Sequence, residues 1–467
     1  MSEPPVIYDP GSFRDPKGRV VLHQGEVYRF LNADGLRDWE HLAGSRFFAR
    51  AQQEGSLAFS SRLSDSERVA LPGGADTAGV LKHARIPFWS YPYEWSFEML
   101  RDAALHHLQL HLAALDEGVT ICDGTSFNIQ FVGAKPVFID LGSFRNFNSE
   151  PEWAGARQFN QMFLFPLLVW SRVGVAVNSW FRGAPEGLPV DVAARLLRCS
   201  MWRPSVFARV HLPALIDRLV SLDPADMPET VVASPSVLRR NLGQLQQLLI
   251  KLRPPRIATD FPDYGTYSHY SGEVTGKIDF VRNVASRRHW PMVWDLGANN
   301  GQFARVVSPY AGMVVAADSD AVTIDQLYLS LKADSGVNNI LPLVLDLMNP
   351  SPGLGWGGVE RQAFTNRGQP DLILFLAVIH HLVISRNLTV EQCLDWLAAF
   401  GCEIVLEFPT EQDEKVIDML ARHPSRRAEY VTANFMAVLD RHFTVLDRLD
   451  LLDGRRVLFH LRPKGTA

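Results

Sequence analysis

The chain has 467 residues, of which 47% are hydrophobic and 21% charged, and its formal net charge is −5. This length predicts two domains, and the composition is that of globular proteins. The weak negative charge gives no overall attraction to nucleic acids or anionic membranes. The four cysteines form no C-x-x-C motif, and the polar first ten residues lack the apolar region of a signal peptide. We therefore expect a soluble cytoplasmic protein without membrane insertion.

Residues 1–252 are predicted to form an α+β domain that begins with a β-hairpin. Residues 20–22 and 26–31 are its strands, residues 35–53 have helical spacing, and residues 60–79 are small and polar and predict a loop. A Pro-containing aromatic connector precedes a buried helix over residues 97–117. We place its three histidines, His106, His107 and His111, at the surface or at caps.

Three polar residues in this domain have a spacing of functional interest. Asp123 is followed five residues later by Asn128, and the strand after them ends in the Asp-x-Gly sequence that begins at Asp140. This arrangement resembles the catalytic loop and metal-binding segment of protein-kinase-like phosphotransferases. The resemblance implies that Asp123 orients an acceptor hydroxyl while Asn128 and Asp140 hold Mg²⁺ on ATP.

The same segment also departs from the kinase pattern. Ile121 and Cys122 replace the usual His-Arg pair, no Gly-rich loop precedes the strand where the ATP-pairing Lys is expected, and Arg29 lies on that strand. The alternative is that Asp123 and Asn128 cap turns around a hairpin.

An amphipathic helix over residues 237–252 ends at the sequence Arg-Pro-Pro-Arg, because proline fixes φ and lacks a donor. We predict a linker over residues 253–265 and a second domain over residues 266–467. Residues 263–268 either cover a cofactor as a lid or pack on the sheet.

The second domain begins with a strand, a turn containing two glycines, and a helix. The acid Asp295 precedes the G-x-x-x-G sequence Gly297, Ala298, Asn299, Asn300 and Gly301. Glycine permits positive φ and lets a ligand approach bare backbone, and the following helix offers free N–H groups. The spacing differs from the G-x-G-x-x-G of nicotinamide-binding loops. It resembles motif I of class I S-adenosylmethionine (SAM) methyltransferases.

Strands and helices then alternate, which predicts a parallel, doubly wound α/β sheet with a terminal antiparallel hairpin over residues 443–461. Ligands of such sheets lie beyond the carboxyl ends of the strands, where Asp295, Asp318 and Asp346 fall in succession. We expect Asp318, next to Ser319, to accept the ribose hydroxyls and Asp346 to accept the adenine amino group, with Leu347 against the ring. We expect Asp295 to lie near the positively charged methionine end of SAM, in direct contact or through water.

Several blocks of the chain recur in one family. They are SYPYEW at 90–95, NIQF at 128–131, PVFID at 136–140, NPSP at 349–352, LGW at 354–356 and IHHL at 379–382. Together they resemble bacterial two-part class I methyltransferases of the nodulation protein NoeA type. The resemblance implies a seven-stranded, Rossmann-like methyltransferase domain preceded by an α+β domain, with SAM as cofactor.

Methyl transfer to a hydroxyl requires a group that removes its proton. His380 and His381 follow the fourth strand, and a neutral His is a suitable general base. The alternative is that one packs under the sheet and the other caps a helix. Glu407, at the end of the next strand, is a second candidate for binding or base chemistry.

We expect the acceptor to be a small molecule, a glycan intermediate or a protein. A nucleic-acid acceptor is disfavoured because no Asn-Pro-Pro-Tyr-like motif follows the fourth strand. Two alternatives remain: a bifunctional protein whose N-terminal domain uses ATP and Mg²⁺, and a non-catalytic SAM-binding scaffold.

Overall fold

The fold is taken from a computed structural model, which describes residues 7–147, 153–220, 234–255, 271–334 and 336–465. The chain divides into two compact units. The N-terminal unit comprises Met1–Phe131, Pro136–Ile257 and Pro352–Ala363, and the C-terminal unit comprises Val132–Lys135, Ala258–Ser351 and Phe364–Ala467. The stretch Pro352–Ala363 therefore belongs to the N-terminal unit, although its sequence lies within the second half of the chain. The predicted linker lies largely, and the predicted lid wholly, outside the described residues.

The N-terminal unit begins with an antiparallel five-stranded sheet in the order β1-β2-β3-β5-β4. Its strands are β1 (Ile7–Tyr8), β2 (Gly18–His23), β3 (Glu26–Leu31), β4 (Ser60–Arg62) and β5 (Gly79–His83). The hairpin predicted over residues 20–31 is confirmed as β2 and β3.

Two predictions in this unit differ from the structure in detail. The helical spacing over residues 35–53 corresponds to two helices, α1 (Ala33–Ala43) and α2 (Arg46–Gln53), because the Ser45 hydroxyl accepts the Phe48 N–H and starts a second helix. The loop expected over residues 60–79 contains β4 and the helix α3 (Asp65–Ala70). A capping box between Ser64 and Glu67 begins α3.

The helix predicted over residues 97–117 is confirmed as α4 (Phe97–Leu115), but the surface placement of its histidines was wrong. His106, His107 and His111 are 9%, 0% and 0% exposed. Each ring finds an oxygen inside the protein: His106 Nε2 lies 2.8 Å from the Ser56 carbonyl and His111 Nε2 lies 2.9 Å from Thr120 Oγ1. These contacts satisfy one nitrogen of each ring, whereas Nδ1 of His107 and of His111 has no hydrogen-bond partner among the described residues.

The rest of the N-terminal unit is mainly helical. Two short pairs follow α4, namely β6 (Val119–Ile121) with β9 (Phe144–Asn146), and β7 (Ile129–Val132) with β8 (Lys135–Phe138). The helices after them are α5 (Ala156–Phe159), α6 (Phe165–Val173), α7 (Asn178–Gly183), α8 (Val190–Leu196), α9 (Pro204–Val206), α10 (Leu212–Val220) and α11 (Pro235–Lys251). The predicted amphipathic helix is α11, which buries its leucines on one face.

The C-terminal unit is built on a seven-stranded sheet in the order β12-β11-β10-β13-β14-β16-β15. Its strands are β10 (Trp290–Leu296), β11 (Ala311–Asp318), β12 (Ile340–Val344), β13 (Leu372–Phe375), β14 (Glu403–Pro409), β15 (Phe443–Leu451) and β16 (Arg456–Pro463). The strands β10 to β14 are parallel, and β16 is antiparallel to both of its neighbours. This sheet confirms the predicted seven-stranded α/β sheet, with parallel strands and a terminal antiparallel hairpin.

The helices of this unit are α12 (Ser271–Ala285), α13 (Gln302–Val307), α14 (Ala321–Ala333), α15 (Val390–Ala398), α16 (Glu414–Arg422) and α17 (Thr432–His442). A capping box of Thr389 and Gln392 begins α15. The fourth strand was predicted to continue to Ile379 but ends at Phe375, because Ala377 adopts φ +54° and turns the chain. Among the helices of the described ranges, none is both long enough and apolar enough to cross a bilayer.

Candidate functional site

The loop between β10 and α13 has the backbone conformation that its glycines permit. Gly297 and Gly301 have φ of +85° and +76°, and Asn299 between them has φ +48°. A Cβ on Gly297 would lie 2.4 Å from Val378 Cγ2, and one on Gly301 would lie 2.4 Å from Leu327 Cδ1. Both positions therefore require glycine for conformation and for space. Within the loop, Asn300 is exposed and Ala298 is buried.

Asp318, the last residue of β11, holds this loop. Its Oδ2 accepts the Asn299 N–H at 2.9 Å, and its Oδ1 accepts the Asp320 N–H at 3.0 Å. Burial raises the pKa of Asp318, and its backbone hydrogen bonds offset part of that effect. Ser319 is exposed beside it. The carboxylate thus fixes the loop and retains lone pairs for a ligand.

Asp295 lies on the neighbouring strand β10 and is 2% exposed. Its Oδ2 has no hydrogen-bond partner among the described residues. Burial raises the pKa of this carboxyl group to about 7, and the charge of Asp318 adds to the shift. A cation close to this carboxyl group would favour its ionised form and would contact the oxygen that has no partner among the described residues.

The third acid, Asp346, follows β12, the strand on the other side of β11. One further backbone hydrogen bond links the two strands just past the end of β12, where the Leu345 N–H donates to the Asp318 carbonyl at 2.8 Å. Asp346 Oδ1 accepts the Met348 N–H at 2.9 Å, and Leu347 beside it is half-buried. The structure therefore brings Asp295, Asp318 and Asp346 to the carboxyl ends of three adjacent strands.

His380 and His381 follow the turn at Ala377, and their ring centroids are 4.2 Å apart. His380 is 1% exposed, and neither of its ring nitrogens has a hydrogen-bond partner among the described residues. Burial holds the pKa of His380 well below its usual range, and His381, Arg456, Lys415 and Lys277 push it further down. Burial also lowers the pKa of His381, which is half-buried. His380 is therefore a neutral imidazole with both edges unused.

Glu407 is 1% exposed and lies between two cations that the sequence analysis did not identify. Its Oε1 lies 2.8 Å from Lys277 Nζ and 3.0 Å from Arg456 Nη1, and Arg456 also contacts Asp413 at 2.7 Å. Glu407 Oε2 has no partner within the described part of the chain. Lys277 and Arg456 are distant from Glu407 in sequence, so no local signal could pair them.

One of the comparisons with known proteins matches almost the whole chain. No family model matches it. The nodulation protein NoeA of Rhizobium meliloti (strain 1021) is 31% identical over 458 residues, which are 96% of this chain and 94% of that protein. The chain belongs to the NoeA family. The match includes both units, so the family likeness is not confined to the C-terminal unit.

Solved structures similar to this NoeA-family chain cover less of it. The N-methyltransferase NodS from Bradyrhizobium japonicum WM9 is 13% identical and covers 42% of this chain and 99% of its own, with a TM-score of 0.32. Magnesium protoporphyrin IX methyltransferase from Synechocystis PCC 6803, with bound S-adenosylhomocysteine (SAH), is 14% identical and covers 40% of this chain and 84% of its own, with a TM-score of 0.29.

The N-terminal unit of this NoeA-family chain contains a second polar cluster, centred on Ser143. Its hydroxyl donates to Asp140 Oδ2 at 2.6 Å, lies 3.2 Å from Asp123 Oδ2, and accepts from Asn128 Nδ2 at 2.9 Å. The structure therefore brings together the three residues that the sequence singled out. Arg29 Nη2 lies 2.7 Å from Asp140 Oδ1.

The electrostatics of the two acids in this cluster differ. Burial alone would raise the pKa of Asp140, but Arg29, Ser143 and the Gly142 amide hold it below its usual range. Burial and the charge of Asp140 raise the pKa of Asp123. The buried His107, whose Nε2 lies 2.9 Å from the Asp123 carbonyl, fixes the backbone at this position. Burial lowers the pKa of His107 to about 4, so the ring is neutral.

A cavity of about 950 Å³ in the N-terminal unit is lined by Asp123, Asn128 and Asp140 of this cluster and by Arg29. Apolar residues, among them Val20, Val27 and Ile139, also line it. This size is at the upper end of the range for sites that hold small organic ligands. The sequence gives no indication of this cavity, because the residues that line it come from segments far apart in the chain.

Proposed function

We propose that the C-terminal unit is a SAM-dependent methyltransferase that transfers a methyl group to an O or N atom of a small molecule, a glycan intermediate or a protein. The observation that carries this proposal is the carboxylate of Asp318, which fixes the glycine loop through the Asn299 N–H at the carboxyl edge of the sheet. In an open α/β sheet, this edge is where ligands bind.

The residues at this edge fit the parts of the cofactor. Asp318 would accept the ribose hydroxyls with its remaining lone pairs, and Asp346 with Leu347 would hold the adenine. Gly297, Ala298, Asn299, Asn300 and Gly301 would give the cofactor close access to backbone, since a Cβ at either glycine has no space. The unused Oδ2 of the buried Asp295 suits the positively charged methionine end.

When bound, SAM supplies a methyl group on a sulfonium, and the protein must orient the acceptor and receive its proton. His380 is our candidate base, because it is neutral and both ring nitrogens lack partners among the described residues. Its lowered pKa makes it a weaker proton acceptor than an exposed histidine. His381 would position the acceptor beside it. Glu407 would orient groups through its unused oxygen rather than act as a free base, because two cations occupy its other oxygen.

Isothermal titration calorimetry with SAM and with SAH tests the cofactor site. We expect micromolar binding that weakens at least tenfold in Asp318→Ala, since hydrogen bonds to a charged group contribute about 1.5–3 kcal/mol each. The matched control is Asp334→Ala, which removes an exposed acid paired with Arg305 in the same unit. Absence of binding to the wild-type protein would contradict the proposal.

Catalysis is separated from a scaffold role by incubating the protein with SAM carrying a tritiated methyl group and a cell extract. We expect label to move to an extract component, and His380→Gln to reduce transfer about 100-fold or more while SAM affinity is retained. Binding without any transfer would favour the non-catalytic scaffold.

We propose as a second candidate that the N-terminal unit is kinase-like and binds ATP with Mg²⁺. The observation that favours it is the convergence of Asp123, Asn128 and Asp140 on Ser143 at the wall of a cavity of about 950 Å³. Asn128 and Asp140 offer the oxygen ligands that Mg²⁺ prefers, and Asp123 would orient a hydroxyl acceptor. Arg29, which is paired with Asp140, would take the role that a lysine has in kinases.

Titration with ATP in the presence and absence of Mg²⁺ tests this second candidate. We expect Mg²⁺-dependent binding that is lost in Asp140→Ala and retained in the control Asp191→Ala, an exposed acid on α8. Equal affinity with and without Mg²⁺, or retention in Asp140→Ala, would contradict it.

A further inference from the structure

We propose that residues 352–363 complete the ligand site of the N-terminal unit, and that Trp356 stacks on the planar base of a nucleotide bound there. The inference rests on the second candidate function above. It assigns part of the N-terminal site to a segment whose sequence lies inside the methyltransferase half, between β12 and β13.

The shape of this segment is set by its glycines. Gly355, Gly357 and Gly358 all have positive φ, at +77°, +64° and +71°. A Cβ on Gly353 would lie 2.2 Å from the Gly358 carbonyl oxygen, and one on Gly355 would lie 2.6 Å from Glu360 Oε2. The sequence around Trp356 is therefore glycine-rich because a tight backbone loop is required at this point.

A salt bridge between Glu360 and Arg14 attaches the segment to the first part of the N-terminal unit. Glu360 Oε1 accepts from Arg14 Nε and Glu360 Oε2 accepts from Arg14 Nη2, both at 3.1 Å. The same Oε2 accepts the Trp356 N–H at 3.0 Å. This paired geometry is the more specific form of an arginine–carboxylate contact. The hydrogen bond from the Trp356 N–H fixes the backbone of Trp356 to the same carboxylate.

Two further contacts attach the segment to cavity walls. The Gln362 N–H donates to the Tyr91 hydroxyl at 3.0 Å, and the Arg361 guanidinium lies over the Phe127 ring at 4.2 Å from its centroid. Phe127 is adjacent in sequence to Asn128, which belongs to the Ser143 cluster. The backbone that carries Trp356 is thus held through the contacts of Glu360, Arg361 and Gln362, which follow it in the chain.

Trp356 itself lines the cavity and is 76% exposed. Such exposure is unusual for a tryptophan, which normally buries its large apolar surface, as Trp95, Trp290 and Trp294 do here. A planar ring lying against the indole would cover this surface. Nucleobases are suited to this contact because every base presents a π face, whatever its pattern of donors and acceptors.

The remaining walls define a ligand with both an anionic part and a hydrogen-bond donor. Arg29 and the oxygen cluster suit phosphate with a divalent cation. His83, 8% exposed, supplies an unused acceptor: the Ser60 hydroxyl donates to the Ala58 carbonyl and so accepts from His83 Nδ1 at 2.6 Å. The neutral ring is left with an unprotonated Nε2, which has no partner among the described residues.

The test compares ATP and inorganic triphosphate, each with Mg²⁺, on the full chain by calorimetry. We expect Trp356→Ala to weaken ATP binding about tenfold and to leave triphosphate binding unchanged, because only ATP carries a base. Trp356→Phe should retain most of the affinity. The matched control Trp202→Ala removes a tryptophan that is 87% exposed and does not line the cavity.

The outcomes separate this inference from the function on which it rests. If wild-type protein binds ATP, Asp140→Ala abolishes binding and Trp356→Ala has no effect, the nucleotide site stands and the stacking role is overturned. An equal loss for ATP and triphosphate in Trp356→Ala also overturns it, because the effect would then not depend on the base. If wild-type protein binds neither ligand, the nucleotide site itself is rejected and the inference is rejected with it.

Discussion

The ammonium group of Lys277 lies 2.8 Å from Glu407 Oε1 in the interior of the C-terminal unit. The two side chains are 9% and 1% exposed, so the charges depend on each other and on Arg456 for stability. This pair joins α12 to β14. It also changes the interpretation of Glu407, which the sequence alone offered as a base.

Removal of the Glu407 carboxylate is expected to destabilise the protein strongly. In Glu407→Ala, Lys277 and Arg456 would lose the carboxylate that they share, and breaking a buried ion pair costs about 3–5 kcal/mol. Thermal unfolding monitored by circular dichroism should show a large fall in Tm. Glu391→Ala, which removes a partner of exposed Arg441, is the control and should change Tm little. A wild-type Tm in Glu407→Ala would contradict the pairing.

Substitution of Gly297 tests the loop conformation. Gly297→Ala places a methyl group 2.4 Å from Val378 Cγ2 at φ +85°, so the loop must move. We expect a loss of about 1–3 kcal/mol of stability and at least tenfold weaker SAM binding. The control is Gly401→Ala, where φ is also positive at +67° but the space around the Cβ is open. Denaturant unfolding and calorimetry should show a smaller stability loss there and unchanged SAM affinity.

Asp295 makes stability depend on pH. Its pKa is about 7 in the folded protein and about 4 in an unfolded chain, so between these values the folded state holds a proton that the unfolded state has lost. The free energy of unfolding should therefore fall as pH rises from about 4 to about 7. Asp295→Asn cannot ionise and should remove this component. Urea unfolding of both proteins at several pH values measures the difference, and parallel profiles would contradict it.

The same carboxyl should make cofactor affinity depend on pH. A sulfonium near Asp295 favours the ionised form, so SAM binding should tighten as pH rises through about 7 and should release protons at neutral pH. SAH lacks the sulfonium and should show a weaker dependence. Calorimetry in two buffers of different ionisation enthalpy counts the protons released. Asp295→Asn should bind SAM with the same affinity across this range, and a persistent slope in the variant would assign the effect to another group.

The sequence by itself determined the features that are encoded locally. Hydrophobic periodicity fixed the alternation of strands and helices from β10 to β16, since the period of apolar residues follows directly from backbone geometry. The G-x-x-x-G spacing specified the loop, because only glycine is free of strain at φ near +80°. Asp295, Asp318 and Asp346 could be placed at one edge because parallel strands end on the same side. The relation to the NoeA family also followed from short blocks of sequence.

Tertiary structure alone decided which residues distant in sequence meet. The burial of His107 depends on its contact with the Asp123 carbonyl, and the state of Glu407 depends on Lys277 and Arg456. The strand β13 ends before the turn at Ala377, although the apolar residues continue past it. The pattern of apolar residues does not show which residue adopts a left-handed backbone conformation. The sequence also does not show that residues 352–363 belong to the N-terminal unit. Their contacts to Arg14, Tyr91 and Phe127 form only after the chain has folded back.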